Sequence, residues 1–168
     1  MRRLTNVALI LISLFLIISG CGSSNQEIII EPWDILLADL EYAWVTMDIN
    51  ALEDCFRDDF MHHLQEVDWD DYNGDGVIDE YWGLEIELDF AEFAFAEADS
   101  IYFSLSGGES SIWSGDSTGQ SIETPRILTR EIFSPGDTTL EVRPVTLICR
   151  PDYQNEWYIW QWFDGEEQ

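Results

Sequence analysis

Side chains that carry oxygen alternate along a short acidic stretch near the middle of the chain. Ca2+ prefers about six to eight oxygen ligands, and a loop that offers them from alternate residues needs a glycine at its sharpest bend. Gly76 stands at the sixth position of such a loop, which covers about residues 68–80. The spacing predicts a structural Ca2+ site. Its ligands, at loop positions 1, 3, 5, 7 and 9, are Asp71, Asn73, Asp75, the backbone carbonyl of Val77, and Asp79.

The twelfth position of the loop distinguishes it from a calcium sensor. A sensor loop supplies a bidentate glutamate there, whereas this chain has Trp82. Extracellular calcium modules bind at about 10⁻⁴ to 10⁻³ M, so a site of this kind would stay filled. Asp70, Glu80 or Glu85 could add an oxygen. Two other interpretations stay open: a solvated turn of Asp, Asn and Gly that binds no metal, and a weak cation site without selectivity.

The two histidines, His62 and His63, are the candidate catalytic residues. On a strand they point to opposite faces, so one of them can reach the interior. That side chain could act as an acid or a base, or bind a transition metal together with Asp68 or Asp70. The simpler interpretation is one core and one surface histidine without chemistry. Asp89, in an apolar run, is the remaining candidate base.

The first half of the chain predicts two helices and a short strand. Pro32 suits a first helical turn, and Tyr42 falls on the solvent side of the helix that follows. Asn50 and Glu53 stand in the relation of a capping box, which opens a second, shorter helix before a strand at 60–64. The apolar stripe of the first helix consists of Trp33, Leu36, Leu37, Leu40, Trp44 and Met47.

Residues 82–98 fit either a strand or a helix. Apolar residues alternate over 82–90, yet Trp82, Ile86, Phe90 and Phe93 also share one helical face. The alanines and glutamates that follow favour a helix. After it we predict a strand over 100–106, then a loop or hairpin tip over 107–124 that Trp113 anchors.

From residue 126 onward the pattern is that of strands. We predict strands over 127–133, 138–150 and 156–163, with Pro144 at an edge or a bulge. Apolar residues on both faces of the last strand indicate that it is covered on both sides. Strict alternation places Trp157, Ile159 and Gln161 on one face and Tyr158, Trp160 and Trp162 on the other.

This order of elements, closing on Trp157-Tyr-Ile-Trp-Gln-Trp-Phe-Asp164, resembles the NTF2-like superfamily, which includes SnoaL-like and ketosteroid-isomerase-like cone folds. The resemblance covers most of residues 32–164. It implies an α+β cone with about three N-terminal helices packed on a curved, mostly antiparallel sheet of four to six strands. Residues 32–168 would form one domain. The acidic loop and the 107–124 segment depart from the family pattern.

The N-terminus has the features of a secretory signal. Two arginines precede an apolar stretch over 7–18, and Ile18-Ser-Gly-Cys21 resembles a bacterial lipobox. The resemblance implies a signal peptide over 1–20, a lipid on Cys21, and a tether over 21–31 that joins the domain to the membrane of the cell envelope. Gly22 stands where an aspartate retains some lipoproteins, which favours the outer membrane over the inner. An ordinary signal peptide or a short anchor helix is the alternative.

Charge and cysteines limit the partners. The chain has seven arginines, no lysine and 34 acidic residues, giving a net charge of −27, which argues against binding nucleic acid or lying on anionic lipid. Divalent cations or a salty habitat would relieve this self-repulsion.

The two cysteines that follow the N-terminal signal leave two possibilities open. In an oxidising compartment Cys55 and Cys149 could form a disulfide, although two buried free thiols fit equally well.

Three functions remain in competition. The first is a non-catalytic, calcium-stabilised domain that binds a small hydrophobic molecule or an envelope protein at the mouth of the cone. The second is an isomerase or dehydratase that uses His62 or His63. The third is a structural envelope protein that assembles through its acidic surface. An open cavity with a histidine opposite a carboxylate favours the enzyme, whereas a closed cone filled with tryptophan excludes it.

Overall fold

The computed structural model describes residues 30–72, 74–107, 111–116 and 119–165. These ranges contain three α-helices, one 3₁₀ turn at Glu66–Asp68 and seven strands. The helices are α1 (Pro32–Thr46), α2 (Ile49–Asp54) and α3 (Leu84–Glu97). The strands are β1 (Met61–His63), β2 (Tyr81–Gly83), β3 (Ser100–Ser106), β4 (Ile112–Asp116), β5 (Gly119–Ser134), β6 (Asp137–Pro151) and β7 (Trp157–Asp164).

All seven strands belong to one mixed sheet in the order β2-β1-β7-β6-β5-β3, and β4 also pairs with β5. Every pairing is antiparallel except that of β1 with β7. The predicted α+β architecture is confirmed. The sheet has more strands than the four to six predicted because β2 precedes α3 and β4 pairs with the start of β5. The described residues of the 107–124 segment therefore favour the hairpin of the two predicted forms.

Helix α1 supplies much of the core because its apolar residues recur at helical spacing. Leu40 and Ala43 are fully buried, and Trp44 stacks on Phe103 of β3 with ring centroids 5.3 Å apart. Tyr42 lies on the opposite side and is 62% exposed, as predicted. The helix ends at Met47, whose backbone is left-handed. Asp48 then caps α2 by accepting the N–H groups of residues 50 and 51, so the predicted capping box of Asn50 and Glu53 is wrong.

Most of the ambiguous segment, from Leu84 to Glu97, forms helix α3, as the alanines and glutamates favoured, and Trp82 lies in β2. The buried face of α3, however, differs from the predicted one. Ala91 and Ala94 face the core, whereas Phe90 is partly exposed and Phe93 is 69% exposed. Small residues allow the helix backbone to approach the sheet, which leaves the two phenylalanines beside the packed interface.

A β-bulge in β7 corrects the predicted faces of the last strand. Cys149 pairs with Ile159 and Ile148 pairs with Gln161, so Trp160 is an extra residue on β7. One extra residue reverses the alternation of side chains beyond it. Ile159 and Trp162 are therefore both buried in the core.

The structure also shows the position of Pro144 and the state of the two cysteines. The carbonyl of Pro144 accepts the N–H of Gly165 at 2.8 Å, just past the end of β7, so the missing proline N–H falls where the sheet is locally an edge. Cys55 and Cys149 are buried free thiols rather than a disulfide. Burial raises the pKa of each thiol to about 12. No helix in the described part of the chain is both long and apolar enough to cross a membrane.

Candidate functional site

A polar cavity of about 180 Å³ lies where α3 covers the sheet. We call it the head cavity. Six elements and the acidic loop contribute to its wall, and the wall contains more charged than apolar side chains. Its lining consists of His62, Asp68, Tyr72, Trp82, Glu87, Phe90, Leu128, Arg130, Glu141, Arg143, Trp162 and Asp164.

His62 stands between two carboxylates in this cavity. Its Nδ1 is 2.8 Å from Oε2 of Glu87, which also accepts the indole N–H of Trp82 at 2.8 Å. Its Nε2 is 3.2 Å from Oδ2 of Asp164, an ion pair that lacks hydrogen-bond geometry. His62 is 8% exposed and Glu87 3%. The buried Nε2 of His62 thus has Asp164 as an ionic partner but no well-aligned hydrogen-bond acceptor in the described ranges.

Two arginines complete the charge network. Arg143 donates to Oδ2 of Asp164 at 2.9 Å and lies 3.4 Å from Asp68 of the acidic loop. Arg130 and Glu141 face each other across β5 and β6, with Nη2 2.5 Å from Oε2. With His62 protonated, the lining holds three cationic groups and four carboxylates. Each charge is paired, and the cavity as a whole is slightly negative.

A larger groove lies elsewhere and has no comparable chemistry. It measures about 510 Å³ and runs between α1 and α2 beside Trp157. Its ionisable lining includes the carboxylates Asp39 and Asp54 but no histidine or arginine. Because acid–base work needs groups of opposite character within reach of each other, the smaller head cavity is the better candidate.

Solved structures of related shape support the fold. A protein from Novosphingobium aromaticivorans, provisionally assigned as an aromatic ring hydroxylase, gives a TM-score of 0.60 at 16% identity over 82% of this chain and 87% of its own. Another from the same organism, provisionally a scytalone dehydratase, gives 0.61 at 7% identity over 82% and 83%. A provisional dehydratase of the NTF2-like family from Streptomyces avermitilis gives 0.55 at 12% identity over 79% and 92%.

The fold is the NTF2-like cone. Neither a protein-family model nor a curated protein sequence matches the chain, so this likeness is one of structure. Similar folds host unrelated reactions, and at these identities the neighbours establish the shape of the cone and not its chemistry.

Within the cone, the two carboxylates keep His62 charged. Burial alone would lower the pKa of His62, but the negative charge of Glu87 and the contact with Asp164 outweigh it and raise this pKa to about 9. Burial would raise the pKa of each carboxyl, yet the charge of His62 holds both below their usual range. At neutral pH the histidine is therefore a cationic donor rather than a base.

Between pH 6.5 and about 8.5 we expect the free energy of unfolding to fall as the pH rises. Folded His62 holds its proton up to a pKa of about 9, whereas the unfolded side chain titrates near 6.5. The stabilisation from this group is complete below pH 6.5 and is lost as the pH rises through 9. One extra proton in the folded state corresponds to at most ~1.4 kcal/mol per pH unit.

Urea denaturation at pH 6.5, 7.5 and 8.5 measures this fall, which should total about 2 to 3 kcal/mol. His62→Gln should remove the pH dependence. His63→Gln is the matched control and should retain it, because burial lowers the pKa of His63, a shift opposite in direction to that of His62. A flat wild-type profile would show that His62 is not charged in the folded protein.

The sequence placed the histidines correctly but missed their partners. His62 is buried and His63 stacks on Phe163 on the opposite face, with ring centroids 4.2 Å apart. Asp89 is exposed, so the suggestion that it is a poised base is wrong. The buried acid on this helix is Glu87, which lies four residues before the buried Ala91. A glutamate in register with the buried alanines was the signal that could have revealed it.

The acidic loop wraps around its own carboxylates. Asp71 accepts the N–H groups of Asp75 at 2.9 Å and Gly76 at 2.8 Å, and Asp79 accepts that of Tyr72 at 3.1 Å. Asn73 lies outside the described residues. The predicted ligand atoms are oxygens, as Ca2+ requires. In the described ranges, however, no three Asp, Glu, His or Cys side chains are grouped to hold a metal ion. The calcium site stays a prediction.

Proposed function

We propose that this domain binds a small, uncharged organic molecule in the head cavity and recognises an oxygen atom on it. The observation that carries the proposal is the buried Nε2 of His62, which lacks a hydrogen-bond partner among the described residues. The nearby carboxylate of Asp164 compensates the charge of this donor but is poorly aligned with its N–H, and a bound hydroxyl or carbonyl would supply an aligned acceptor. Trp82 and Trp162 supply apolar surface beside the imidazole, with ring centroids 4.9 Å and 5.3 Å from that of His62.

The charges of the cavity determine the expected ligand. Arg143 and His62 already pair with Asp164, so an anionic ligand would have to displace a carboxylate. The chain also carries a net charge of −27, which repels anions at long range. An alcohol or ketone can share the Nε2–H of His62 with Asp164 without bringing a further charge into the cavity.

Binding can be tested with benzyl alcohol, benzoate and benzylamine, which share a shape and differ in charge. The indole N–H groups of Trp82 and Trp162 bond to Glu87 and Asp164, so their NMR resonances report on the cavity. Benzyl alcohol should shift both resonances, and benzoate should not. His62→Phe should abolish the shift and His63→Gln should keep it. If none of the three probes moves either resonance, this proposal fails.

A dehydratase or isomerase reaction is the second candidate, and the same unsatisfied N–H favours it. In a dehydration, the Nε2 proton of His62 would pass to a leaving hydroxyl as its C–O bond breaks, releasing water. The neutral imidazole would then take a proton from the adjacent carbon, which forms the double bond and restores the acid. Asp164, at 3.2 Å, would stabilise the imidazolium.

Proton exchange separates catalysis from binding. Cyclohexanone in D2O should exchange its protons next to the carbonyl faster with wild-type protein than with His62→Phe. Exchange that is equal in the two proteins, together with normal benzyl alcohol binding, leaves a binding domain without this chemistry.

We further propose that the acidic loop binds Ca2+ as a structural ion. At 10 mM Ca2+ and a dissociation constant of about 10⁻⁴ M, the folded state gains about 2.7 kcal/mol. We expect Ca2+ to raise the melting temperature by several degrees and EDTA to reverse the rise. Asp75→Ala should abolish the response, whereas Glu92→Ala, an exposed acid on α3, should preserve it. A melting temperature indifferent to both additions would disprove the site.

The N-terminal sequence supports attachment to the bacterial envelope through a lipid on Cys21. Expressed with its own leader, the wild-type chain should be found in the membrane fraction, and Cys21→Ala should move it to the soluble fraction. Fractionation of the two membranes tests the preference for the outer one. A Cys21→Ala chain that stays with the membrane would favour the uncleaved anchor helix.

A further inference from the structure

A second cavity adjoins the head cavity and has fewer charged residues in its lining. It measures about 270 Å³, and we call it the tail groove. Phe90, Arg130 and Glu141 line both spaces, so the two meet at these three side chains. The remaining lining of the tail groove is Phe93, Ala94, Glu97, Ile132, Ser134 and Thr139.

The tail groove accounts for the exposed phenylalanines of α3. Phe93 leaves 69% of its surface uncovered although it lies on a helix that packs against the sheet. Phe90 sits at the junction, with the guanidinium of Arg130 5.0 Å from its ring centroid. Contiguous exposed apolar surface at the rim of a polar cavity is typical of a binding site.

From this continuity we infer that the ligand is amphipathic: an uncharged, oxygen-bearing head in the head cavity and a single apolar arm along the tail groove. This inference rests on the proposed binding function and specifies its ligand class. The residues that line the two cavities determine both parts of the ligand. The paired charges around His62 and the carboxylate of Glu141 disfavour an acidic head, while Phe93 and Ile132 offer the arm an apolar surface.

Arg130 and Glu141 would set the angle between the two halves. Their ion pair spans β5 and β6 at the junction, and Arg130 also packs over Trp44 of the core at 5.1 Å. Because the guanidinium of Arg130 lies 5.0 Å from the ring centroid of Phe90, an arm that leaves the head cavity must move one of these two side chains. Arg130 and Phe90 are the expected determinants of arm width.

The test uses 1-butanol, 1-hexanol, 1-octanol and octanoate. Each added methylene buried in an apolar groove contributes about fourfold in affinity. Titrations followed at the indole resonances of Trp82 and Trp162 measure the affinity of each alcohol, which we expect to rise with chain length. The longer alcohols should also shift the methyl resonances of Ile132. Octanoate should bind at least tenfold more weakly than 1-octanol. Phe93→Ala should weaken 1-octanol at least fivefold and leave 1-butanol unchanged.

Each outcome separates the two proposals. If no alcohol moves the indole resonances, the proposed binding function itself fails. If all three alcohols bind equally, or Phe93→Ala has no effect, the head cavity stands and the two-part ligand is wrong. Octanoate binding as tightly as 1-octanol would overturn the uncharged head. Tyr153→Ala, an exposed aromatic in the turn before β7, is the control for unspecific binding of the alcohols and should change nothing.

Discussion

Replacing Glu87 by alanine should destabilise the protein by about 3–5 kcal/mol, because removing one partner of a buried ion pair leaves the other charge uncompensated. One oxygen of Glu87 accepts both the Nδ1–H of His62 and the indole N–H of Trp82, each at 2.8 Å. The alanine variant would leave two buried donors without an acceptor and would also open a cavity under α3. Urea denaturation at pH 6.5 measures the loss.

Glu87→Gln is the informative companion. Its amide oxygen can accept both donors, so it keeps the hydrogen bonds and removes the charge. We expect it to cost less than half as much as alanine and to lower the pKa of His62, since Glu87 is the largest favourable influence on that pKa. Glu92→Ala, exposed on the same helix, should change stability by about 0.5 kcal/mol at most. Equal losses for alanine and glutamine would show that charge alone matters.

Replacing Trp44 by alanine should cost about 3–5 kcal/mol, the usual range for a buried tryptophan. Its ring is 1% exposed, lies nearly parallel to Phe103 and meets Phe95 edge-on at 5.2 Å. Because Arg130 packs over the same ring, the variant should also loosen the Arg130–Glu141 pair and weaken 1-octanol binding.

Two neighbouring variants control this result. Val45→Ala changes the next, half-exposed residue of α1 and should stay within about 0.5 kcal/mol of wild type. Trp44→Phe keeps an aromatic ring and removes an indole N–H that has no acceptor among the described residues, so it should cost clearly less than alanine. A loss below about 1 kcal/mol for Trp44→Ala would show that the α1–β3 contact does not hold the core together.

The sequence predicted the helices and strands of this molecule better than the contacts in its head cavity. Helix α1, strand β1 and the last strand follow from local periodicity, because a single buried face imposes a regular spacing on the chain. The opposed directions of His62 and His63 follow from the same rule. These features depend on neighbours along the chain, which a sequence displays directly.

The partners of His62 depend on events that periodicity does not display. Glu87 occupies the buried face of α3, where a charged residue is normally excluded, and only the distant histidine explains it. Asp164 lies inside because the bulge at Trp160 reverses the alternation of β7. Strict alternation places Ile159 and Trp162 on opposite faces, and both are in the core. This single extra residue is the reason why strict alternation does not predict which side chains of β7 line the cavity.

The position of β7 has a consequence for the order of folding. This strand lies between β1 and β6 and pairs with both, and its parallel pairing joins residues 61–63 to 161–163. Contacts between such distant segments form late because closing a long loop is entropically costly. Until β7 is in place the sheet is in two pieces and His62 lacks Asp164. We therefore expect the cavity to be assembled last, when the closing strand of the chain joins the two parts of the sheet.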